Sequence, residues 1–138
     1  MLIKFPKGFR VKIKTDIRDK MVELISDKYY PSQPGFEPEV KPPFCYGYIE
    51  LVCVGDNTYE THSYLDEQFR GKGFGTLLYA KAIQWCHRNG YKIRSSGNTS
   101  KEAKRVWKSK TIRSYFRIRK LKKRLWGVPH TVWYAYPK

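Results

Sequence analysis

The chain has 138 residues, of which 41% are hydrophobic and 16% aromatic, and its formal net charge is +16. That length predicts one domain, residues 1–138, able to bury roughly two-thirds of its unfolded surface, and the aromatic content excludes disorder throughout. No run of about 18 apolar residues occurs and the opening MLIKFPKGF lacks the apolar centre of a signal peptide, so a soluble cytoplasmic protein is expected.

In chain order, FRVKIK (9–14) alternates apolar and basic residues and predicts a strand. TDIRDKMVELISDKYY sets Met21, Leu24 and Ile25 at helical spacing behind Asp16 and Asp19, which predicts a short helix starting near Thr15. YYPSQPGFEPEVKPPF holds five prolines in sixteen residues, so it reads as a loop. CYGYIELVCV and TYETHSYL flank GDN and predict an antiparallel hairpin. A helix opening at Gly75 presents Leu78, Ala82, Trp85 and Cys86 on one face and ends at Asn89-Gly90, behind His87 and Arg88. YKIRSS is a short strand. TSKE reads as a capping box of Thr99 and Glu102 that starts a helix with Ala103, Val106 and Trp107. YFRIRKL and TVWYAY are strand patterns, joined by a basic loop with Gly127 and Pro129. The three cysteines, Cys45, Cys53 and Cys86, have no C-x-x-C spacing and lie in apolar contexts, which predicts free buried thiols and no metal site.

The stretch LDEQFRGKGFGTLLYAKAIQWCHRNG carries the chemistry. A strand, a turn with Gly71, Gly73 and Gly75, and a helix make a cradle in which unpaired N–H groups and the positive end of the helix dipole meet an anion. Neither G-x-x-x-x-G-K-[ST] nor G-x-G-x-x-G with a downstream acid is present. Arg70, Gly73 and Gly75 instead satisfy Arg/Gln-x-x-Gly-x-Gly/Ala, and the run resembles the acyl-CoA signature of the GNAT N-acyltransferase superfamily. The order of elements from about residue 9 to 136 is similar as well.

The resemblance implies an α/β fold: a mixed, mostly antiparallel sheet of about six strands flanked by three or four helices. It implies acetyl-CoA as co-substrate, its pyrophosphate held by main-chain N–H groups of Gly71, Lys72, Gly73, Phe74 and Gly75 with Thr76 opening the helix, its pantetheine held near Leu65, and Arg70 as the signature cation. It implies acetyl transfer by direct attack of an amine on the thioester. Because the proline-rich loop stands where many relatives have an additional strand, the second strand is expected to be short or missing. Where the family pattern has Asn, Ala and Tyr on the second helix, this chain has Ser100, Ala103 and Trp107. An indole has no proton that titrates near neutrality, so Tyr115 or water is left to protonate the departing thiolate. Where relatives carry a base on the signature strand, Thr61 and Tyr59 stand. Their neighbours Glu60 and His62 have the chemistry, yet alternation points them to the opposite sheet face unless a bulge intervenes.

Charge divides the chain. Residues 1–69 hold nine Lys/Arg against eleven Asp/Glu, and residues 70–138 hold nineteen against one, Glu102. Between Lys92 and Arg124 fourteen Lys/Arg are interleaved with Trp107, Tyr115 and Phe116, with Trp126 just beyond, the usual ingredients of nucleic-acid binding. A solvated basic edge that blocks strand pairing has the same composition. The partners expected are therefore acetyl-CoA and either nucleic acid or an acidic protein surface, with no membrane. Two other functions fit: a basic nucleic-acid-binding or base-modifying protein on this fold, and a CoA-binding regulator without turnover.

Overall fold

A computed structural model of the chain describes residues 3–15 and 18–138. Strands β1 (Phe9–Lys14), β2 (Lys20–Ser26), β3 (Phe44–Cys53) and β4 (Thr58–Leu65) lead into helix α1 (Phe74–Arg88). Then follow β5 (Lys92–Ser95), α2 (Lys101–Trp107), α3 (Lys110–Tyr115), β6 (Phe116–Leu125) and β7 (Val128–Pro137). The seven strands form one sheet in the order β1-β2-β3-β4-β5-β7-β6, in which only β4 and β5 are parallel. The helix between those two supplies the crossover that a parallel pair requires. This is the mixed α/β fold that the resemblance implies, with one more strand.

Helix α1 packs against β2, β3, β5 and β7, and α2 and α3 pack against α1. Its Leu78, Ala82, Ile83 and Cys86 are buried at the spacing that puts them on one face, while Trp85 at the margin stacks on Tyr91. Full burial of a side chain such as Leu78 or Ile83 contributes about 1.5–3 kcal/mol. At the far end of α1, His87 Nε2–H donates to the Ala135 carbonyl at 2.9 Å and ties the helix to β7.

Two expectations about the N-terminal half are overturned. The segment from Lys20 is a strand rather than a helix, and the second strand is neither short nor missing. Val22, Leu24 and Ser26 are fully buried on one face while Glu23 and Ile25 are buried on the other. A strand covered on both faces loses its alternation, and its apolar run then mimics helical spacing. Asp16, expected in the helix's first turn, lies outside the described residues, as do Ile17, Met1 and Leu2. The proline-rich segment is a loop, pinned by Tyr46, whose hydroxyl donates to Lys28 O at 2.9 Å and accepts from Tyr30 N at 2.6 Å.

Smaller corrections concern caps, turns and thiols. The cap of α2 is Ser100, whose Oγ accepts from Ala103 N at 3.2 Å; Thr99 instead donates to Ser96 O at 2.7 Å. The expected basic loop is strand up to Leu125, closed by a two-residue turn at Trp126 and Gly127, with φ +51° and +75°. All three cysteines are free, but only Cys86 is buried; Cys45 is exposed and Cys53 half-buried.

Candidate active site

The glycine turn is exposed but firmly held. Phe69 closes a single 3-10 turn, Glu67–Phe69, and Phe74 opens α1; both rings are buried, 5.4 Å apart, and both touch Phe9. The four residues between them therefore have fixed ends. Gly71 and Gly73 take φ +75° and +87°, values that bulky residues avoid, and a Cβ on either would meet nothing within 4 Å. Gly73 is the N-cap of α1 and offers no side-chain acceptor, and the first helical bond runs from Leu77 N to Gly73 O at 3.2 Å. The N–H groups ahead of Leu77 face open space with the helix dipole behind them. Arg70 folds back, its Nε–H donating to Leu65 O at 2.9 Å, and so braces the end of β4 against the turn.

Beside this turn lies a cleft of two chambers. The larger, about 370 Å³, is lined by Ser63, Tyr64, Leu65, Arg70, Gly71, Gly73, Gly75 and Thr76, with Glu102, Ala103, Arg105 and Val106 from α2 on the other wall. The smaller, about 140 Å³, is lined by Thr61, His62, Ser96, Asn98 and Thr99. Ser63, Tyr79, Ser100 and Ala103 line both, so the chambers meet there. The cleft exists because β4 and β5 part: their ladder ends at Thr61 opposite Ser95, while β4 runs on to Leu65. Ser95 is already committed elsewhere, its Oγ accepting from Trp133 N at 2.9 Å. Uncapped N–H groups at one end, open main chain along one wall and a cavity between them fit a long phosphorylated thioester such as acetyl-CoA.

The candidate residues divide by position. No register shift interrupts the pairing of β4, so Glu60 and His62 do share the face opposite Thr61. Glu60 is buried, with Oε2 3.4 Å from His62 Nε2 and Oε1 4.0 Å from Arg94 Nη2. His62 is half-exposed and borders the smaller chamber, with this carboxylate behind it. Tyr59 is packed against Trp85 and Tyr91, and Thr61 donates to Arg94 O at 3.3 Å, so neither offers a base. Tyr115 ends α3, packs beside Phe116, and lines neither chamber. Lys72 is exposed outside both linings, and the Phe74 ring is part of the core, which leaves its backbone N–H for a ligand.

The buried phenol where the two chambers meet is Tyr79. It is 4% exposed, its hydroxyl donates to Ser63 Oγ at 3.0 Å, and its ring meets Trp107 edge-on at 5.6 Å. Burial pushes its pKa up, against smaller lowering effects from hydrogen bonds with Ser63 and Thr61. Its position follows from helix periodicity, four residues after Gly75, a neighbour on the same face of α1.

The sequence profile of the acetyltransferase (GNAT) family matches residues 39–108, half of the chain and the part that holds β3, β4, α1, β5 and α2. The chain belongs to the GNAT acetyltransferase family. Among curated proteins none matches significantly. Solved GNAT structures share the fold at low identity. An Elizabethkingia anophelis GNAT acetyltransferase with acetyl-CoA bound is 14% identical, with TM-score 0.57 over 96% of this chain and all (100%) of that one. A Bacillus subtilis acetyltransferase in complex with CoA is 14% identical, with TM-score 0.55 over 94% and 99% of the two chains. A Staphylococcus aureus acetyltransferase of the family is 15% identical, with TM-score 0.53 over 84% of this chain and 66% of that longer one. As a GNAT acetyltransferase the chain has acetyl-CoA as its co-substrate.

Proposed function

We propose that this GNAT chain transfers acetyl from acetyl-CoA to a primary amine carried by a nucleic acid or a nucleic-acid-bound protein, in the reducing cytoplasm. The observation that carries it is the uncapped glycine end of α1, opening on a cavity that continues past the unpaired end of β4. The N–H groups from Gly71 to Thr76 hold the pyrophosphate, and the free edge of β4 near Leu65 takes the pantetheine amides as an added strand. Arg105 in the chamber wall and Lys72 on the exposed turn outside it supply cations for the phosphates, and Arg70 keeps the strand and the turn in place.

The reacting carbon then sits where the chambers meet. His62, backed by Glu60, accepts the proton that the incoming amine loses, and Tyr79 supplies one to the sulfur through the Ser63 hydroxyl. Holding the two reactants together contributes more than either proton transfer. Three free cysteines suit a reducing compartment, and among the described residues no helix is long and apolar enough to cross a membrane. Trp107 at the family's tyrosine position favours a second function, binding CoA without turnover.

Calorimetric titration with acetyl-CoA tests the cradle. Gly75→Glu places a carboxylate in the phosphate chamber and abolishes binding, whereas Lys72→Ala weakens it only several-fold, by about 1 kcal/mol. Wild-type affinity in Gly75→Glu would refute the cradle. Binding without acetyl transfer to any amine would favour the regulator.

A further inference from the structure

We infer that the β6–β7 hairpin is a docking surface for single-stranded nucleic acid, with the Trp126 indole as the platform on which an unpaired base stacks. Six of the ten residues of β6 are Lys or Arg and none is acidic. Among the described residues no Lys or Arg from 95 to 138 pairs with a carboxylate, and the basic partners of the ion pairs that do occur, Arg10, Lys14, His62 and Arg94 among them, all precede residue 95. Such a row repels itself until an external anion joins it. The phosphates of the cofactor are not that anion: β6 is an edge strand separated from β4 by β5 and β7, about 14 Å of sheet away. Arg117, Arg119 and Lys123 lie on the face of Tyr134 and Tyr136, whose rings stack at 6.1 Å, and Lys123 reaches over Tyr134 at 5.4 Å.

Trp126 decides the class of ligand. It is 82% exposed and holds φ +51° in a two-residue turn where Asn-Gly would sit without strain. Inside the fold its ring gains only an edge contact with His130 at 5.9 Å. An exposed indole beside guanidinium and ammonium groups suits an unpaired base, whereas a duplex has no free base face to offer. An acidic protein would satisfy the cations and leave the indole idle.

The hairpin is also seated at the cleft. His130 Nδ1–H donates to Gly97 O at 3.2 Å, and Leu125 packs so close that a Cβ on Gly97 would come within 2.8 Å of it. The adjoining Ser96 and Asn98 line the chamber of His62. Delivery of an acceptor to that chamber rests on the acetyltransferase reading; the docking does not.

Fluorescence anisotropy with labelled oligouridylate of about 12 nucleotides tests the docking. Wild type binds, with affinity falling steeply between about 50 and 200 mM salt. Trp126→Asn creates an Asn-Gly turn, raises the melting temperature, and weakens binding about 10-fold or more at an unchanged salt slope. Replacing Arg117, Arg119 and Lys123 together by Gln flattens the logarithmic salt slope by about 2. Wild-type binding by Trp126→Asn, equal affinity for a duplex of the same length, equal competition by polyglutamate, or no binding at low salt would each overturn the proposal. Acetyl-CoA affinity, titrated on the same variants, stays at the wild-type value; its absence in wild type would count against the cleft alone.

Discussion

Trp107 and Tyr79 form a buried pair at the point where the two chambers meet. The resemblance puts the indole at the position of the family's phenol, and the buried hydroxyl where the chambers meet is carried by α1. Because burial raises the pKa of Tyr79, its proton is retained well into alkaline solution, which suits a donor and rules it out as a base near neutrality. Tyr79→Phe removes one hydrogen bond, worth about 1 kcal/mol of stability, and should lower kcat about 10- to 100-fold while acetyl-CoA affinity holds. Steady-state rates with calorimetry on the same preparation separate the two effects. Tyr115→Phe should change kcat less than about twofold; a large loss there with normal Tyr79→Phe would move the acid to α3. Sequence alone singled out Glu60 and His62 as candidates through their chemistry, and the 3.4 Å contact between them follows from two-residue spacing on one strand face. Tyr79 went unread because the buried stripe through Leu78 and Ala82 explains α1 without it.

At the scale of elements, legibility followed solvent exposure. β1, β3 and α1 each have one wetter side, and their periodicity can be read directly, whereas β4, buried on both faces from Thr58 to Thr61, is read from the GDN turn it shares with β3. β2 has no such side, and a residue run such as Met21 to Ile25 fits helix and buried strand equally well. The end of β6 was hidden by its turn, since Trp-Gly is not a hairpin signal even though both residues take positive φ. Elements also set the width of the cleft. Gly47 on β3 faces Leu65 on β4, and a Cβ there would lie 2.9 Å from the Tyr64 carbonyl oxygen and 2.8 Å from Leu65 Cδ1. The carbonyl cannot move without shifting the end of β4 that borders the larger chamber. Gly47→Ala should therefore cost about 1–3 kcal/mol in urea unfolding and also weaken acetyl-CoA binding. Unchanged stability would show that β4 adjusts freely.

The whole molecule joins an acidic-to-neutral half that builds most of the sheet, including the β4 wall of the cleft, to a half of +18 that supplies the glycine turn, the α2 wall and the β6–β7 edge. Its core also sets an alkaline limit. Burial pushes the Cys86 thiol from its ordinary 9.0 up to about 12, and raises Tyr46, Tyr59 and Tyr79 in the same direction. Below pH 9 folded and unfolded chains both hold the Cys86 proton; between 9 and 12 only the folded chain does. Stability is thus complete below pH 9 and lost progressively toward 12, Cys86 alone accounting for about 2 kcal/mol by pH 10.5. Urea midpoints at pH 8 and 10.5 should show this drop, and Cys86→Ala should make it shallower. The central claim, acetyl transfer at this cleft, is tested most directly by following thiol release from acetyl-CoA together with acetylated amine, using an oligonucleotide-linked primary amine and the same amine free. The account predicts equal amounts of thiol and acetylated product, with the linked amine preferred at low salt and the preference lost at high salt. Tight acetyl-CoA binding with no thiol released in the presence of either amine would contradict it.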